Sequence, residues 1–525
     1  MSAVVSVATT FLPEIVVLAS ALLVFLLDVV GVRRLEAVGG VVVAGTGVAF
    51  LLVLADLGLG FLGPLRTIPA ATVNAVPAAG ASPLYAFTSF GLVFQALFLV
   101  AAFLVGLASL SRDSHEAGAP IFYGLLGLAT VGMLLVAVAS DLIFLLLAVE
   151  VTSLATYLLV GYTRRGVRPL EAAMKFYIIG AASSTLSFFG ASLLYGAYGT
   201  TNLYRIAAVA GGVGYPVLAL LGYGFLIAGL AFKTTLVPFH AWAVDVYDGA
   251  PTDVSAFLAG GSKKVGVFAF FLVFLGPVLY VHPGAPGNPF SGGPIALGPI
   301  VQLTLAVLAV LTMTVGNVLA LLQREMKRLL AYSSISQAGY ILLGIAIGTS
   351  PALAGATFQA LAHVLSKGAA FLVVAGVAGL GVGPLVDDWR GLGSRRPLTC
   401  AAFSLLLLSL AGVPLTIGFV SKFVLFSAAV EAQGYFVWLA VAGLLNSALS
   451  VFYYARILRA MYFEAPAGGD AAPPLTSRLA AGGLGYGRAA AIAAATLAVV
   501  ALGIYPQPVL GPIQAAATHF LGLGA

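Results

Sequence analysis

The sequence predicts an all-α polytopic membrane protein that crosses a lipid bilayer about fourteen times, and three observations lead to this fold class. First, 61% of the 525 residues are hydrophobic and 8% are charged, whereas soluble domains usually hold about a quarter charged residues. Second, apolar runs long enough to cross about 30 Å of hydrocarbon recur along the whole chain. Third, the Lys and Arg residues collect in alternate connections between these runs, as they do in polytopic membrane proteins.

Glycine, proline and charged residues divide the apolar runs into the predicted spans. No Lys or Arg precedes Arg33, so the basic region of a cleavable signal peptide is missing and we expect the first run to be a spanning helix. In chain order the predicted spans are 10–31, 36–58, 85–110, 119–139, 141–163, 173–197, 216–248, 252–281, 295–322, 328–348, 352–381, 397–433, 437–463 and 487–507.

The seventh and twelfth spans each carry a helix-breaking proline beside a lysine. Pro238 follows Lys233, and Pro414 precedes Lys422. Helices interrupted at corresponding places in two halves are typical of transporters built from inverted repeats. We therefore expect two inverted five-helix repeats with broken helices 7 and 12. The expected divisions are helices 1–3 in 1–118, a first repeat in 119–281, a second repeat in 295–463, and helix 14 with a tail in 487–525.

The cations outside the spans predict the orientation of the chain. Connections after even-numbered spans hold only Arg66 and Arg205, while those after odd-numbered spans hold seventeen cations. Because cationic connections stay in the cytoplasm, we expect both termini on the opposite side of the cell's inner (plasma) membrane. The net charge of +6 thus reports topology, and we expect no nucleic-acid partner. The seventeen cations are Arg33, Arg34, Arg112, Arg164, Arg165, Arg168, Lys175, Arg324, Lys327, Arg328, Arg390, Arg395, Arg396, Arg456, Arg459, Arg478 and Arg488.

The other five cations are lysines inside the predicted spans. A charge near the bilayer centre costs at least about 2.5 to 3.5 kcal/mol on insertion scales, so such residues face the bundle interior, a partner or water. Near a helix end a lysine can instead extend its ammonium to the interface, which we expect for Lys264 and leave open for Lys367. The five lysines are Lys233, Lys263, Lys264, Lys367 and Lys422.

Glu150 lies well inside the fifth span and needs a partner, because burial disfavours its charged form. Lys233 is the candidate partner, and the pair predicts a proton gate, with a static structural ion pair as the alternative. In the eleventh span, His363 and Lys367 are four residues apart and therefore lie on one helix face. They predict a proton relay, with a hydrogen-bonded structural histidine as the alternative. Polar residues nearby are interpreted as helix-packing groups: Ser183, Ser184, Ser187, Ser334, Ser336 and Gln337.

The cysteine content bounds the redox chemistry that this chain can hold. Cys400 is the single cysteine, which excludes an intrachain disulfide and the four thiolates of an iron–sulfur cluster or the paired cysteines of a c-type haem. We therefore expect no redox centre, cofactor or metal on this chain.

Several long blocks of the sequence resemble the antiporter-like subunits of respiratory complex I, and most of all its N subunit. These blocks are ASDLIFLLLAVEVTSLATYLLVGY, EAAMKFYIIGAASS, FKTTLVPFHAWAVDVYDGAPTDVSAFLAGGSK, LLQREMKRLLAYSSISQAGY and GVPLTIGFVSKFVLFSAAV. The resemblance covers about residues 119–463. The HVLSK segment in the eleventh span is more similar to the L and M subunits and to multisubunit cation/proton antiporters. The chain stops soon after helix 14, which argues against the L subunit. Lys422 in helix 12 argues against the M subunit.

The resemblance implies a proton-translocating subunit of an NADH:quinone oxidoreductase, a translocase that moves protons through a relay of Glu150, Lys233, Lys263 and Lys422. It also implies that NAD(H), FMN, iron–sulfur clusters and quinone belong to partner subunits in a peripheral redox arm. Other membrane subunits and the lipid bilayer would be the direct partners. The alternatives are a subunit of an Mrp-type Na⁺/H⁺ antiporter, of a membrane-bound hydrogenase, or of a complex oxidising reduced F420 or ferredoxin; a purely structural scaffold is disfavoured by the buried charges.

Overall fold

A computed structural model describes residues 9–58, 60–75, 82–111, 118–163, 166–209, 214–279, 297–465 and 484–522. The chain folds as a bundle of long helices, which confirms the predicted fold class. The first six spanning helices are α1 (Leu12–Val29), α2 (Leu35–Asp56), α3 (Ser89–Ser109), α4 (Ala119–Ala137), α5 (Leu142–Gly161) and α6 (Val167–Tyr198).

The remaining helices include two that are broken. Among the described residues, thirteen helices are long and apolar enough to cross a membrane. The twelfth predicted span consists of two fifteen-residue halves, each shorter than those thirteen helices. The helices are α7a (Pro216–Thr234), α7b (Ala241–Gly249), α8 (Thr252–Leu275), α9 (Leu297–Leu322), α10 (Met326–Ile347), α11 (Ser350–Gly379), α12a (Pro397–Ala411), α12b (Ile417–Glu431), α13 (Phe436–Phe463) and α14 (Tyr486–Ile504).

The break in α7 follows from Thr235, whose backbone is left-handed with φ of 60°, and from Pro238, which has no N–H to donate. The backbone groups that the break frees are satisfied by side chains. The Trp242 indole donates to the carbonyl of Phe232 at 3.2 Å, and the amide of Val237 donates to the Thr312 hydroxyl at 3.1 Å. The interruption is therefore a fixed part of the fold.

The break in α12 exposes two carbonyl groups for the same reason. Pro414 has no N–H, so the carbonyl of Leu410, four residues earlier, loses its helical donor. Gly412 and Leu415 turn the chain with φ of 89° and 66° before α12b begins. Interrupted helices in both halves of the chain agree with the inverted-repeat architecture predicted from the sequence.

Two helices lie beyond or between the predicted spans. The predicted tail contains α15 (Gln507–Phe520), in which Leu510 and Ile513 are buried and Phe520 stacks on Phe90 at the start of α3. A short helix, Leu203–Val209, follows α6. The apolar spacing of α15 could be recognised in the sequence, but fourteen residues are too few for a spanning helix. The residues against which α15 packs lie far away in the sequence.

The acidic connection between helices 7 and 8 is neutralised by cations from other connections. Asp245 pairs with Lys175 and with Arg328, both at 3.2 Å. Lys327 donates to the carbonyls of Asp248 and Ala250 at 2.5 and 2.8 Å. Connections after odd-numbered helices therefore meet at one end of the bundle. Both chain ends and Arg112, Arg164, Arg165 and Arg478 lie outside the described residues.

The centre of the bundle is formed by α8, α10 and α11, whose spans are almost entirely buried by other helices. By contrast, α1, α6, α13 and α14 expose most of their surface and form the periphery. Three segments have widened π-helical turns: Leu258–Ser262 and Phe271–Leu279 in and beyond α8, and Val364–Gly368 in α11. Such turns are common at functional sites, and here Leu258–Ser262 and Val364–Gly368 lie against each other.

Candidate proton path

All five intramembrane lysines are buried, each 4% exposed or less. Each lies inside its helix or beside a helix break, and we refer to the five together as the layer of buried lysines. Ionisable residues placed there carry an insertion cost, and they are commonly found along ion pathways. The hydrogen bonds of each lysine show which neighbours it reaches.

Glu150 and Lys233 line one small cavity between α5, α6 and α7a, but they do not form a direct ion pair. The Lys233 ammonium donates to Ser153 Oγ at 3.0 Å. The Glu150 carboxylate accepts from the Ser184 hydroxyl of α6 instead. Since Ser153 lies one turn beyond Glu150 on α5, the lysine rests beside the carboxylate without touching it. The two predicted partners therefore share a cavity without a direct ion pair, and their role as a proton gate stays a prediction.

Glu150 is also half-buried, because it lies at the outer edge of the bundle. It opens on a groove between α5 and α6 that is also lined by Tyr157, Tyr177 and Phe188. A half-buried carboxylate in this open groove is accessible from outside this chain. The charge that faces Lys233 can therefore be influenced by whatever lies against α5 and α6.

The central cluster joins α8, α10 and α11 through one serine. Lys263 donates to Ser334 Oγ at 2.9 Å and to the Ser334 carbonyl at 3.2 Å. The same hydroxyl lies 3.3 Å from His363 Nε2. Lys264 contacts the other ring nitrogen, Nδ1, and donates to the carbonyl of Ala259 at 2.5 Å. The expectation that Lys264 extends to the interface is thus wrong, because it is fully buried in the centre of the bundle.

Lys367 connects to a second hydroxyl group on α10. Its ammonium donates to Ser333 Oγ at 2.5 Å, and Ser333 shares a hydrogen bond of 2.5 Å with the hydroxyl of Tyr454 on α13. Ser333 and Ser334 are consecutive, so the Lys263 and Lys367 chains approach the same turn of α10. His363 and Lys367 share a helix face, yet each bonds to a different serine.

Lys422 occupies the break in α12. It donates to the carbonyls of Leu410 and Ala411 at 2.9 and 3.1 Å and to Ser447 Oγ of α13 at 2.9 Å. The lysine replaces the backbone donor that Pro414 cannot supply, which is the physical reason that a broken helix attracts a cation. Its ammonium also lies 4.7 Å from the centre of the Tyr340 ring, a cation–π contact.

The structure thus arranges the six predicted site residues as separate hydrogen-bonded groups along one layer. Across the ranges that the structure describes, no side-chain hydrogen bond joins Lys233 to Lys263 or Lys367 to Lys422. Sequence analysis missed Lys264 and the hydroxyls that contact the lysines, and it interpreted Ser184 and Ser334 only as packing groups. The missed contact residues are Ser153, Ser184, Lys264, Ser333, Ser334, Ser447 and Tyr454.

Chemically, this arrangement can accept and release protons but offers little for binding other ligands. Lysine and histidine exchange protons, and a hydroxyl can donate one proton while accepting another. In the described part of the chain, no three His, Cys, Asp or Glu side chains cluster as a metal site would require. Proton transfer is therefore the chemistry that the geometry supports.

Comparisons with known proteins agree with this interpretation. Residues 139–450 match the family described as NADH:quinone oxidoreductase/Mrp antiporter, transmembrane. The chain is 38% identical over 506 residues to the F(420)H(2) dehydrogenase subunit N of Methanosarcina mazei, covering 94% of this chain and 95% of that protein. It is 40% identical over 382 residues to the NADH-quinone oxidoreductase subunit N of Trichlorobacter lovleyi, covering 72% and 74%.

The fold is also found in solved structures. A chain of respiratory complex I from Thermus thermophilus, determined with bound aureothin, superposes with a TM-score of 0.72 at 30% identity. The match covers 95% of this chain and 98% of that one. The similarity therefore extends over nearly the whole chain.

Proposed function

Because this chain belongs to the antiporter-like membrane subunits of complex I-type oxidoreductases and Mrp antiporters, and resembles their N subunits, we propose that it conducts protons through the layer of buried lysines. The path would run from Glu150 and Lys233 to Lys263 and His363, and then through Lys367 to Lys422. The hydrogen-bonded chain from Lys263 through Ser334 to His363 is the observation that carries the proposal, because it connects two titratable groups on different helices.

The proposed coupling acts on Glu150. This carboxylate is bonded to Ser184 here, and a rotation of its side chain within the shared cavity brings it towards Lys233. Pairing with the carboxylate favours the charged form of Lys233, and separation favours proton release. Redox chemistry in partner subunits, transmitted to α5 and α6, would move Glu150 between these positions and so drive protons onto Lys263.

We further propose that the partners are the other membrane subunits and the peripheral redox arm of a proton-translocating NADH:quinone oxidoreductase in the inner (plasma) membrane. NAD(H), FMN, iron–sulfur clusters and quinone would be held by those partners. Both termini would lie on the non-cytoplasmic side, because the cation-rich connections stay in the cytoplasm. A second candidate donor is reduced F420, favoured by the relative from Methanosarcina mazei, which aligns over 94% of this chain.

The test is proton translocation by the assembled complex in inverted membrane vesicles. For Lys233→Ala and Lys263→Ala we expect the protons moved per quinone reduced to fall about tenfold or more, because each variant removes a proton-binding group. A pH-sensitive dye reports translocation and quinone absorbance reports electron transfer. Lys175→Ala, which changes a lysine on the exposed face of α6, is the matched control and should pump as the unchanged protein does.

Unchanged pumping in both Lys233→Ala and Lys263→Ala would contradict the proposed path. The donor is tested in the same vesicles by adding NADH or reduced F420 and measuring which one starts quinone reduction. Flavin and iron–sulfur subunits should co-purify with a tag on this chain. Na⁺-dependent proton exchange without any electron donor, and without those subunits, would favour the antiporter alternative instead.

A further inference from the structure

Lys264 has no role in the proposed path, yet it is fully buried in the central cluster. Its ammonium contacts His363 Nδ1 and the carbonyl of Ala259. The close approach of α8 and α11 makes this contact possible. Gly260 faces Gly368, and a Cβ on Gly260 would lie 3.5 Å from the Gly368 Cα. The widened turns in both helices therefore bring the lysine to the histidine.

Both nitrogens of the His363 ring are engaged. Nδ1 faces Lys264, and Nε2 faces Ser334 Oγ at 3.3 Å, the hydroxyl to which Lys263 donates. A neutral imidazole carries a proton on one nitrogen and a lone pair on the other. The group that faces Nδ1 therefore determines whether Nε2 donates to Ser334 or accepts from it.

Resting on the function proposed above, we propose that Lys264 is a gate that admits protons from Lys263 to His363 only when Lys264 is uncharged. A charged Lys264 has only donors. Nδ1 must then accept, so the ring proton sits on Nε2 and points at Ser334. Lys263 points a donor at the same hydroxyl oxygen, and the hydroxyl has no acceptor on the histidine side. No proton moves in that state.

An uncharged Lys264 reverses these roles. Its lone pair accepts a hydrogen bond from the Nδ1–H group, so Nε2 has a lone pair for the Ser334 hydroxyl. A proton then leaves Lys263 for Ser334 Oγ while the original hydroxyl proton moves to Nε2. One N–H bond is lost on Lys263 and one is gained on His363, so the charge balances, and His363 holds the proton for the next step of the path.

The surroundings of Lys264 make an uncharged state accessible. The charged or titratable groups that face it are Lys263 on its own helix and His363 and Lys367 on α11. Of the carboxylates that the structure describes, none forms an ion pair with these residues. Four bases in a low-dielectric interior cannot all hold a proton, because like charges there repel strongly. The proton on Lys263 therefore competes with the one on Lys264.

Two substitutions in the assembled complex separate a gate from a residue that only positions His363. Lys264→Arg keeps a permanent donor towards Nδ1, so we expect protons moved per quinone reduced to fall about 100-fold. Lys264→Met removes the charge, and we expect it to keep pumping. A purely positioning role predicts the opposite order, because arginine preserves the contact and methionine removes it. Lys327→Arg, at a lysine that bonds only to carbonyls, controls for the bulk of the guanidinium.

The pH profile gives a second readout that does not require Lys264→Arg to assemble. In the unchanged protein the gate opens as Lys264 loses its proton, so pumping should rise as the pH rises. Lys264→Met should show a flatter pH profile. An active Arg variant with an inactive Met variant, or wild-type profiles in both, would overturn the gate. If the gate is overturned but Lys263→Ala abolishes pumping in the same experiment, the proposed path is still supported. If Lys263→Ala pumps normally, the path itself is contradicted.

Discussion

Serine hydroxyls connect the buried ionisable side chains of this protein. In spanning helices a serine most often bonds to a carbonyl of its own helix, as Ser336 does to Ser333. Ser334 instead lies between Lys263 and His363. Ser153 does both: it accepts from Lys233 and donates to the carbonyl of Val149 in its own helix. A hydroxyl suits this position because it donates and accepts at once. The serines therefore determine which titratable groups can exchange protons.

Ser334→Ala tests this at the scale of one residue. The variant removes the hydroxyl between Lys263 and His363 but leaves the Ser334 carbonyl to accept from the lysine. We expect the fold to persist and protons moved per quinone reduced to fall about tenfold, equivalent to about 1.4 kcal/mol. Ser336→Ala, which also removes a buried hydroxyl but touches no lysine, is the control. Equal pumping by the two variants would show that protons bypass Ser334.

Helix α12 shows how an element is built around an interruption. The loop between α12a and α12b folds back so closely that Gly418 lies against Ser409. A Cβ at Gly418 would lie 1.8 Å from the Ser409 carbonyl oxygen, which is backbone and cannot rotate away. The carbonyls that bind Lys422 come from the end of α12a. The geometry of the break therefore sets the position of the lysine.

Gly418→Ala should destabilise this element. The added methyl group forces the two halves apart, at a cost of about 1 to 3 kcal/mol or more. We expect a lower midpoint of thermal denaturation, measured by size-exclusion chromatography of the heated detergent-solubilised protein. Gly379→Ala adds a methyl group at the end of α11 where no heavy atom lies within 4 Å, so its midpoint should not fall. A Gly418→Ala midpoint equal to that of Gly379→Ala would contradict the close packing.

At the scale of the molecule, Arg488 joins segments that are distant in sequence. It lies in the first turn of α14, and its Nη2 is 3.2 Å from Oδ2 of Asp253 at the start of α8. The side chains of Arg488 and Asp253 are only 10% and 7% exposed. Its backbone amide donates to Ser111 Oγ at the end of α3 at 3.0 Å. Helices α3, α8 and α14, which lie far apart in the sequence, thus meet at one buried ion pair.

Arg488→Ala should loosen this junction. Removing one partner of a buried pair leaves an uncompensated charge, which costs about 3 to 5 kcal/mol. We expect a clear drop in the denaturation midpoint and less assembled complex in membranes, measured by quantitative immunoblotting. Arg33→Ala breaks an exposed pair with Asp28, 64% and 31% exposed, which is worth about 1 kcal/mol or less. Similar losses in both variants would show that the junction does not depend on its burial.

The sequence by itself determined the all-helical membrane fold and the breaks beside Lys233 and Lys422. Hydrophobic length and the lack of an N–H in proline are local properties, so they can be read without knowing any contact. It also identified the family through long blocks of similar residues. The ionisable residues inside the spans stood out because the bilayer penalises them one by one. Their roles in proton transfer remain predictions.

Only the tertiary structure decided which of those residues meet. It separated Glu150 from Lys233, buried Lys264 against His363, and packed α15 on the bundle. Each outcome depends on the rotation and depth of helices that lie far apart in the chain. A one-residue step along a helix turns a side chain by about 100°, so the consecutive residues Lys263 and Lys264 reach different atoms. Neither composition nor residue spacing shows how these helices are rotated relative to one another.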